Sequence, residues 1–395
     1  MAVRKPLLPG GPGAGSSRRE LLGSLVALAL GDAACRRLGF PRQVRREGAR
    51  FAGFPIWRVD SFLTPTSDFF VRDHFGVPAA AHHLHPWTLR VEGDVDRPFT
   101  LSLEELARET PVELPVTLEC AGNAGRNGVG WPGAGRAYGG ASSALFQGFP
   151  IAPLLARAGV RPGVVEVVFE GADEGTERGD ARARTFAEAV PLEAALAPSA
   201  MLATRMNGAP LPALHGGPVR ALFPGRYATD SVKWLARIRA IDQPFDGYYA
   251  TRRYRRASPA DPVGRPVGEL RVQSEIAHPR PGDKLPAGLA VDVLGVAWGG
   301  HGGAARVEIS VDGGRSFASA TFLDPANPFC WRRFRYTWIP RVPGPRLVLA
   351  RATDAGGTSQ PFASDEDLGL GYSISGPDRM EYENNSAPIV PVTVG

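Results

Sequence analysis

The sequence predicts an α+β chain: a mixed α/β domain followed by an all-β, immunoglobulin-like sandwich. Three observations predict it. In 395 residues there are 48 glycines and 37 prolines, a density of turn formers that leaves little room for long helices. From about residue 50 to 260 short strand and short helix patterns alternate around long loops, whereas from about Gly264 onward only strand patterns occur. At 43% apolar and 22% charged residues, the chain has enough material for more than one core. The boundaries read from these changes are a leader at 1–45, a first domain at 46–260 and a second at 264–395. The joint between the domains is the Pro/Gly/Arg-rich stretch 258–268.

Each element has a local reason. Residues 86–93 (PWTLRVEG) read as a strand. Ser102 with Glu105 forms a capping box that opens a short helix to Arg108, the serine and glutamate each satisfying the other's backbone amide. A strand then runs into Cys120, and a glycine-dense loop spans Gly122 to Gly140. Ile151 to Ala158 has helical spacing, Val164 to Phe169 reads as an apolar strand, and Leu192 to Leu196 as a short helix. In the second domain Val291 and Val293, then Val307, Ile309 and Val311, alternate with polar neighbours. Asp312-Gly-Gly314 supplies a turn before the strand at Phe317 to Phe322.

The first residues read as an address. Arg18 and Arg19 precede a ten-residue apolar run, Leu21 to Leu30, followed by Ala33 and Ala34. This is the pattern of a twin-arginine export signal, which implies a periplasmic location. The run is too short to span a bilayer, and no membrane span is expected in the mature chain. Net charge is +5 with arginine far outnumbering lysine, so the surface field favours anions; no nucleic-acid partner is expected. The three cysteines, Cys35, Cys120 and Cys330, form no C-x-x-C or C-x-x-C-H. That disfavours zinc ribbons, iron–sulfur clusters and attached haem, and any electron carrier is expected on another protein.

Cys120 lies at the end of an apolar run and the mouth of a glycine-rich turn (Thr117–Asn123), the place of a soft metal ligand or a nucleophile. Arg126, Arg136, Arg220 and Lys233 could lower its pKa and hold it as a thiolate. His215, Arg220, Ser231 and Lys233 are spaced to place donors around one loop, suited to a phosphate or another oxyanion. Arg72, in the segment 68–74 (DFFVRDH), offers a planar fork for a small anion. Tyr254 sits among four arginines in 251–256 (TRRYRR), which would favour its phenolate or hold a charged substrate against its hydroxyl. Together these residues describe an anion site around a soft metal. A hydrolase built on Cys120 and His215 would need an orienting carboxylate or amide that the sequence does not assign.

The order of these segments resembles the sulfite oxidase family. The carriers are 69–74 (FFVRDH), 120–123 (CAGN), 207–212 (NGAPLP), 215–220 (HGGPVR) and 231–235 (SVKWL). The resemblance covers about residues 50 to 395. It implies a molybdopterin-binding oxidoreductase domain followed by a Mo-co dimerisation domain, with molybdenum-molybdopterin as cofactor and no haem in this chain. Cys120 would ligate molybdenum; Arg72, Tyr254 and Arg126 would line the oxyanion pocket. His74, Asp173, His215, Arg220, Ser231 and Lys233 would hold the pterin and its phosphate. The implied reaction is oxygen-atom transfer from water to sulfite, with electrons passing singly to an external cytochrome c or to oxygen. The assembly would be a homodimer, or a heterodimer with a haem subunit. A molybdopterin sulfoxide reductase, which usually lacks the C-terminal sandwich, and a non-catalytic periplasmic anion-binding module are the alternatives. The sequence departs from the family pattern at Asp73, at Phe146, in the spacing before Arg126, and near the C-terminus. There 368–372 (LGLGY) and 382–385 (YENN) read as remnants of one motif split by an insertion, with the loss of an anion-binding arginine.

Overall fold

The computed structural model describes residues 44–46, 49–82, 87–123, 139–177, 180–257, 261–362, 372–373 and 382–395. The twin-arginine segment, Cys35, Arg126, Arg136, most of the loop from Gly122 to Gly140 and residues 368–371 lie outside them. Residues from Gln43 to the C-terminus form one compact unit.

The first part is built on two sheets. In one, strands 99–102, 88–93, 235–241, 166–177 and 180–191 lie side by side in that order. Only the pairing of 88–93 with 235–241 is parallel. In the other, 112–119 pairs with 141–150, which pairs with 201–206, and 201–206 carries 209–210 and 220–222. The helix Ile151–Ala158 covers the apolar space between them because Ile151, Leu154, Leu155 and Ala158 recur at helical spacing and are all buried. It stops at Gly159, whose φ of +70° is the left-handed cap that glycine adopts without strain. The capping box is present: Glu105 N donates to Ser102 Oγ at 3.1 Å and Ser102 N to Glu105 Oε2 at 2.7 Å. Its helix is short, Leu103–Leu106.

The strand expected over 164–169 instead runs from Glu166 to Glu177. Its polar second half is held by a hairpin with 180–191, so backbone pairing extends it past the point where its apolar pattern ends. The segment expected as one strand at 317–322 is two, Ala318–Ser319 and Thr321–Phe322, which join different sheets.

The second part is a sandwich. Strands 273–278, 291–298, 332–338 and 321–322 form one sheet; 284–285, 389–394, 344–354, 304–310 and 318–319 form the other. Val293, Ala297 and Phe334 of the first interdigitate with Val307, Ile309, Val348, Ala350 and Val392 of the second. A separate cluster joins this sandwich to the first part: Phe54, Ala121, Tyr227, Tyr254, Trp298, Trp331 and Tyr382 pack together. The Trp331 indole donates to Phe62 O at 2.7 Å and the Trp298 indole to Glu119 Oε2 at 2.8 Å. The sandwich thus reaches the residue immediately before Cys120.

Candidate active site

One open cleft gathers most of the residues singled out in the sequence. Arg72, His74, Cys120, Asp173, Arg220, Ser231, Lys233 and Tyr254 all line it. His215 is not among the lining residues, and Arg126 lies outside the described residues.

Arg72 lies in strand Val71–Asp73 between buried neighbours at 71 and 73, and Arg72, Asp73 and His74 all border the cleft. Cys120 follows strand 112–119 and is pinned from both sides. Its N–H donates to Gly140 O at 2.8 Å, and its carbonyl accepts from Asn123 N at 2.8 Å. Asn123 Oδ1 accepts from Gly140 N at 3.0 Å. A Cβ at position 140 would stand 3.2 Å from the Cys120 Cβ, so glycine lets the two segments close on the thiol. Asn123 Nδ2 also donates to Glu119 Oε1 at 3.0 Å and to Glu275 Oε1 of the sandwich at 3.2 Å.

The opposite wall is Arg220, Ser231 and Lys233. Arg220 is 4% exposed; its Nε donates to Ser231 O at 3.0 Å and its Nη1 to His215 O at 3.2 Å, so one side chain staples two turns. His215 contributes through that carbonyl, while its Nε2 donates to Thr66 O at 3.1 Å. Gly216 has φ +104°, and a Cβ there would meet the Lys233 side chain at 2.9 Å; glycine is required for the lysine to pass. Lys233 Nζ donates to Leu214 O at 3.0 Å and lies 5.0 Å from the Trp234 ring centroid.

The electrostatics are those of a site short of an anion. Among the described residues Arg72, Arg220 and Lys233 make no ion pair within 4.0 Å. Burial lowers Lys233 to about 7 and Arg220 to about 9, because desolvation disfavours the charged form; at Lys233 the nearby Asp73 and Asp173 pull the other way without offsetting it. Burial raises Asp173 to about 7, and its Oδ1 has no hydrogen-bond partner.

Two sequence-based expectations are corrected. Burial pushes the Cys120 thiol up, outweighing the opposing pull of Arg72. Arg72 therefore does not hold it as a thiolate by itself, and Arg126 and Arg136 lie outside the described residues; a coordinated cation would hold it so. Burial likewise drives Tyr254 well above its usual range. Of the arginines around it, Arg253 faces Glu177 at 3.8 Å and Arg256 faces Glu383 at 3.6 Å, and Arg255 is spent on backbone carbonyls of Ala250, Val263 and Gly264. Tyr254 is a phenol, not a phenolate.

The sequence assigned no site role to Phe70, Asp73, Phe186, Ala228, Thr229 and Trp234, which also line the cleft. Thr229 and Trp234 flank Ser231 and Lys233, and that adjacency was the available signal. Phe186 arrives across the hairpin from strand 166–177 and had none.

A buried thiol, unpaired buried cations for a phosphate and a carboxyl with an orphaned oxygen fit a metal held through an anionic, nitrogen-rich organic cofactor. This fold and cleft define a molybdopterin-binding oxidoreductase. Residues 74–249 match the oxidoreductase molybdopterin binding domain family and residues 265–367 the Mo-co oxidoreductase dimerisation domain family. The chain is 33% identical over 330 residues to the sulfite oxidase of Gallus gallus, covering 77% of this chain and 69% of that one. It is 33% identical over 340 residues to the mitochondrial sulfite oxidase of Homo sapiens, covering 78% of this chain and 59% of that protein's length. Its fold matches the sulfane dehydrogenase SoxCD from Paracoccus pantotrophus with a TM-score of 0.77 at 26% identity, over 90% of this chain and 88% of that one. The chain belongs to the sulfite oxidase family, and its cofactor is molybdenum-molybdopterin.

The charge balance gives a first prediction. Above neutral pH Lys233 loses a positive charge and Asp173 gains a negative one, since both titrate at about 7. Bound anion favours protonated Lys233, so affinity falls as pH rises. Between about pH 7 and about pH 9, where a phosphate monoester is already dianionic, binding to the cofactor-free cleft should weaken about tenfold or more. Calorimetric titration with a phosphate monoester reads this; an affinity independent of pH would remove both residues from the anion's surroundings.

Proposed function

We propose that this protein oxidises sulfite to sulfate in the cleft, with molybdenum bound by Cys120 and the cofactor phosphate held by Arg220, Ser231 and Lys233. The net change adds a water oxygen to sulfite and releases two protons and two electrons. The observation that carries this reading is the convergence of one thiol, Cys120, with the Arg72 guanidinium and the Tyr254 hydroxyl on one cleft. When bound, the molybdenum supplies oxygen-atom transfer coupled to a two-electron redox change. Arg72 binds the anion beside the metal position with a planar donor fork. Asp173, whose Oδ1 has no partner, would offer an acceptor to a donor group of the bound pterin. Phe70, Phe186 and Trp234 wall the cleft against bulk water, which strengthens each of these polar contacts.

The electrons are passed to an external acceptor such as cytochrome c. The twin arginines ahead of a short apolar run support export to the periplasm, and the Mo-co dimerisation domain supports a dimer, with a second copy or with a haem subunit. The SoxCD likeness, which extends over the sandwich as well as the cleft, favours sulfane sulfur as a second substrate class.

The deciding experiment is sulfite-dependent reduction of cytochrome c by the molybdenum-loaded protein, with a sulfane-bearing carrier tested in parallel. Turnover with sulfite alone supports the proposal; turnover with the carrier alone replaces it. Arg72→Met is expected to raise KM for sulfite by about 10- to 100-fold with kcat less affected, the worth of one charge-assisted hydrogen bond of about 1.5–3 kcal/mol. An unchanged KM would take Arg72 out of the anion pocket.

A further inference from the structure

From the cleft wall inward, Tyr254, His74 and Glu177 stand in line. The Tyr254 hydroxyl lies 2.7 Å from His74 Nε2, and His74 Nδ1 lies 2.7 Å from Glu177 Oε1. Tyr249 Oη donates to the same Oε1 at 2.9 Å, and Arg253 Nη1 is 3.8 Å from Oε2. The His74 side chain is 6% exposed and that of Glu177 9%. The imidazole cannot easily turn over, because it stacks on Phe186 with ring centroids 5.4 Å apart and an interplanar angle of 16°, with the Tyr249 ring 4.8 Å away.

Burial and the neighbouring Arg72 bring His74 down to about 4, so at neutral pH the ring is uncharged and has a single N–H. Burial pushes the Glu177 carboxyl up, but His74, Arg253 and Tyr249 more than offset this and hold it at about 2. It is an ionised group that can only accept. Which ring nitrogen holds the proton then decides which way the Tyr254 hydroxyl points.

We propose that Glu177 is a positioning residue for the substrate pocket. It fixes the His74 proton on Nδ1, obliges Nε2 to accept from Tyr254, and so turns the lone pairs of the Tyr254 oxygen, not its proton, toward the cleft. The inference rests on the reading of the cleft as an oxyanion-oxidising site. Its chemical consequence is specific. Anion binding falls to Arg72, while Tyr254 presents an acceptor to a proton-bearing group, either water or a protonated oxyanion. With no acceptor at position 177, the imidazole can place its proton on Nε2 and donate to Tyr254. The hydroxyl is then free to point at the anion, and the pocket binds the anion more tightly but loses its acceptor.

The test is nitrogen-15 NMR of the histidine-labelled, cofactor-free full chain at neutral pH, with His74 assigned by the signals lost in His74→Asn. The parent should show the Nδ1–H tautomer, and Glu177→Met should move a large share of the population to Nε2–H. Glu177→Gln, whose amide oxygen still accepts, should keep Nδ1–H. A parent spectrum with the proton on Nε2, or a Glu177→Met spectrum identical to the parent, overturns the proposal. If the methionine variant fails to fold, the parent and glutamine spectra still decide it. In the loaded enzyme Glu177→Met should lower KM for sulfite about threefold or more while kcat also falls, with Glu177→Gln near the parent. A raised KM, as mere loosening of the wall would give, counts against it. Should the loaded parent not oxidise sulfite, the functional reading fails while the tautomer result stands, so the two failures are distinguishable.

Discussion

Cys120→Ser is expected to abolish sulfite oxidation, lowering kcat by at least about a thousandfold, on the order of 4 kcal/mol of transition-state stabilisation, while leaving the fold intact. Serine matches the cysteine in shape, and the bonds that position residue 120 are made by its backbone, to Gly140 and Asn123. The unfolding midpoint should therefore shift by no more than about 1 kcal/mol equivalent. What changes is the ligand. The thiol is buried against its own ionisation, with Arg72 and the Gly122 N–H too weak to offset the cost, so the environment favours a thiolate only once a cation is bound to it. A hydroxyl has a far higher pKa and is a harder donor, and it does not replace a thiolate toward a thiophilic metal. Three measurements together read the result: kcat, molybdenum per chain by mass spectrometry, and chemical unfolding. Full turnover in the serine variant would sink the molybdenum-thiolate reading. Cofactor retained with activity lost would show that Arg220, Ser231 and Lys233 hold the phosphate independently of the thiol.

Much of this site was legible in the sequence because its parts are local. The capping box at Ser102 and the helix at Ile151–Ala158 are each written within a few consecutive residues. The segments 69–74, 215–220 and 231–235 could each be read as anion-binding before any contact between them was known. What was not legible depends on pairing across the chain. Glu177 lies at the polar end of a strand that persists because residues 180–191 fold back on it, and nothing in its own neighbourhood points to His74. The protonation states also went astray. Counting arginines near Cys120 and Tyr254 allowed a thiolate and a phenolate, but burial raises both groups, and burial is a property of the folded chain. The same holds for His215, whose imidazole is committed to a backbone carbonyl.

The segment after the inserted residues shows the same lesson with a larger energetic stake. Residues 382–385 looked like the remnant of a degraded motif, yet they form a buried clamp between the two parts of the fold. The Glu383 side chain has 0% exposure and takes Arg265 in a two-pronged pair at 2.5 and 3.1 Å, with Arg256 at 3.6 Å. Gly268 N donates to Glu383 Oε1 at 3.3 Å, and Arg271 Nη1 to the Glu383 carbonyl at 3.0 Å. Asn384 and Asn385 accept, through their carbonyls, from Gln273 and Gln360 of the sandwich. On the other side Glu383 N donates to Ala121 O at 2.9 Å, and the Tyr382 ring lies 5.3 Å from that of Tyr254. Glu383→Ala removes a carboxylate from among three arginines and leaves Arg256, 12% exposed, without that counter-charge. The expected loss is about 1–3 kcal/mol, because the Arg265 side chain is 57% exposed and water takes over much of its charge, so the cost falls on the buried donors that lose a charged acceptor. Glu383→Gln, which keeps the acceptor for Gly268 and one arginine prong, should lose less. Urea unfolding at matched m-values reads both. Because the clamp touches the residue after Cys120 and the ring beside Tyr254, Glu383→Ala should also raise KM for sulfite in the fraction that remains folded. A stability loss under about 1 kcal/mol would mean that the arginines are satisfied by water instead and that this segment does not brace the site.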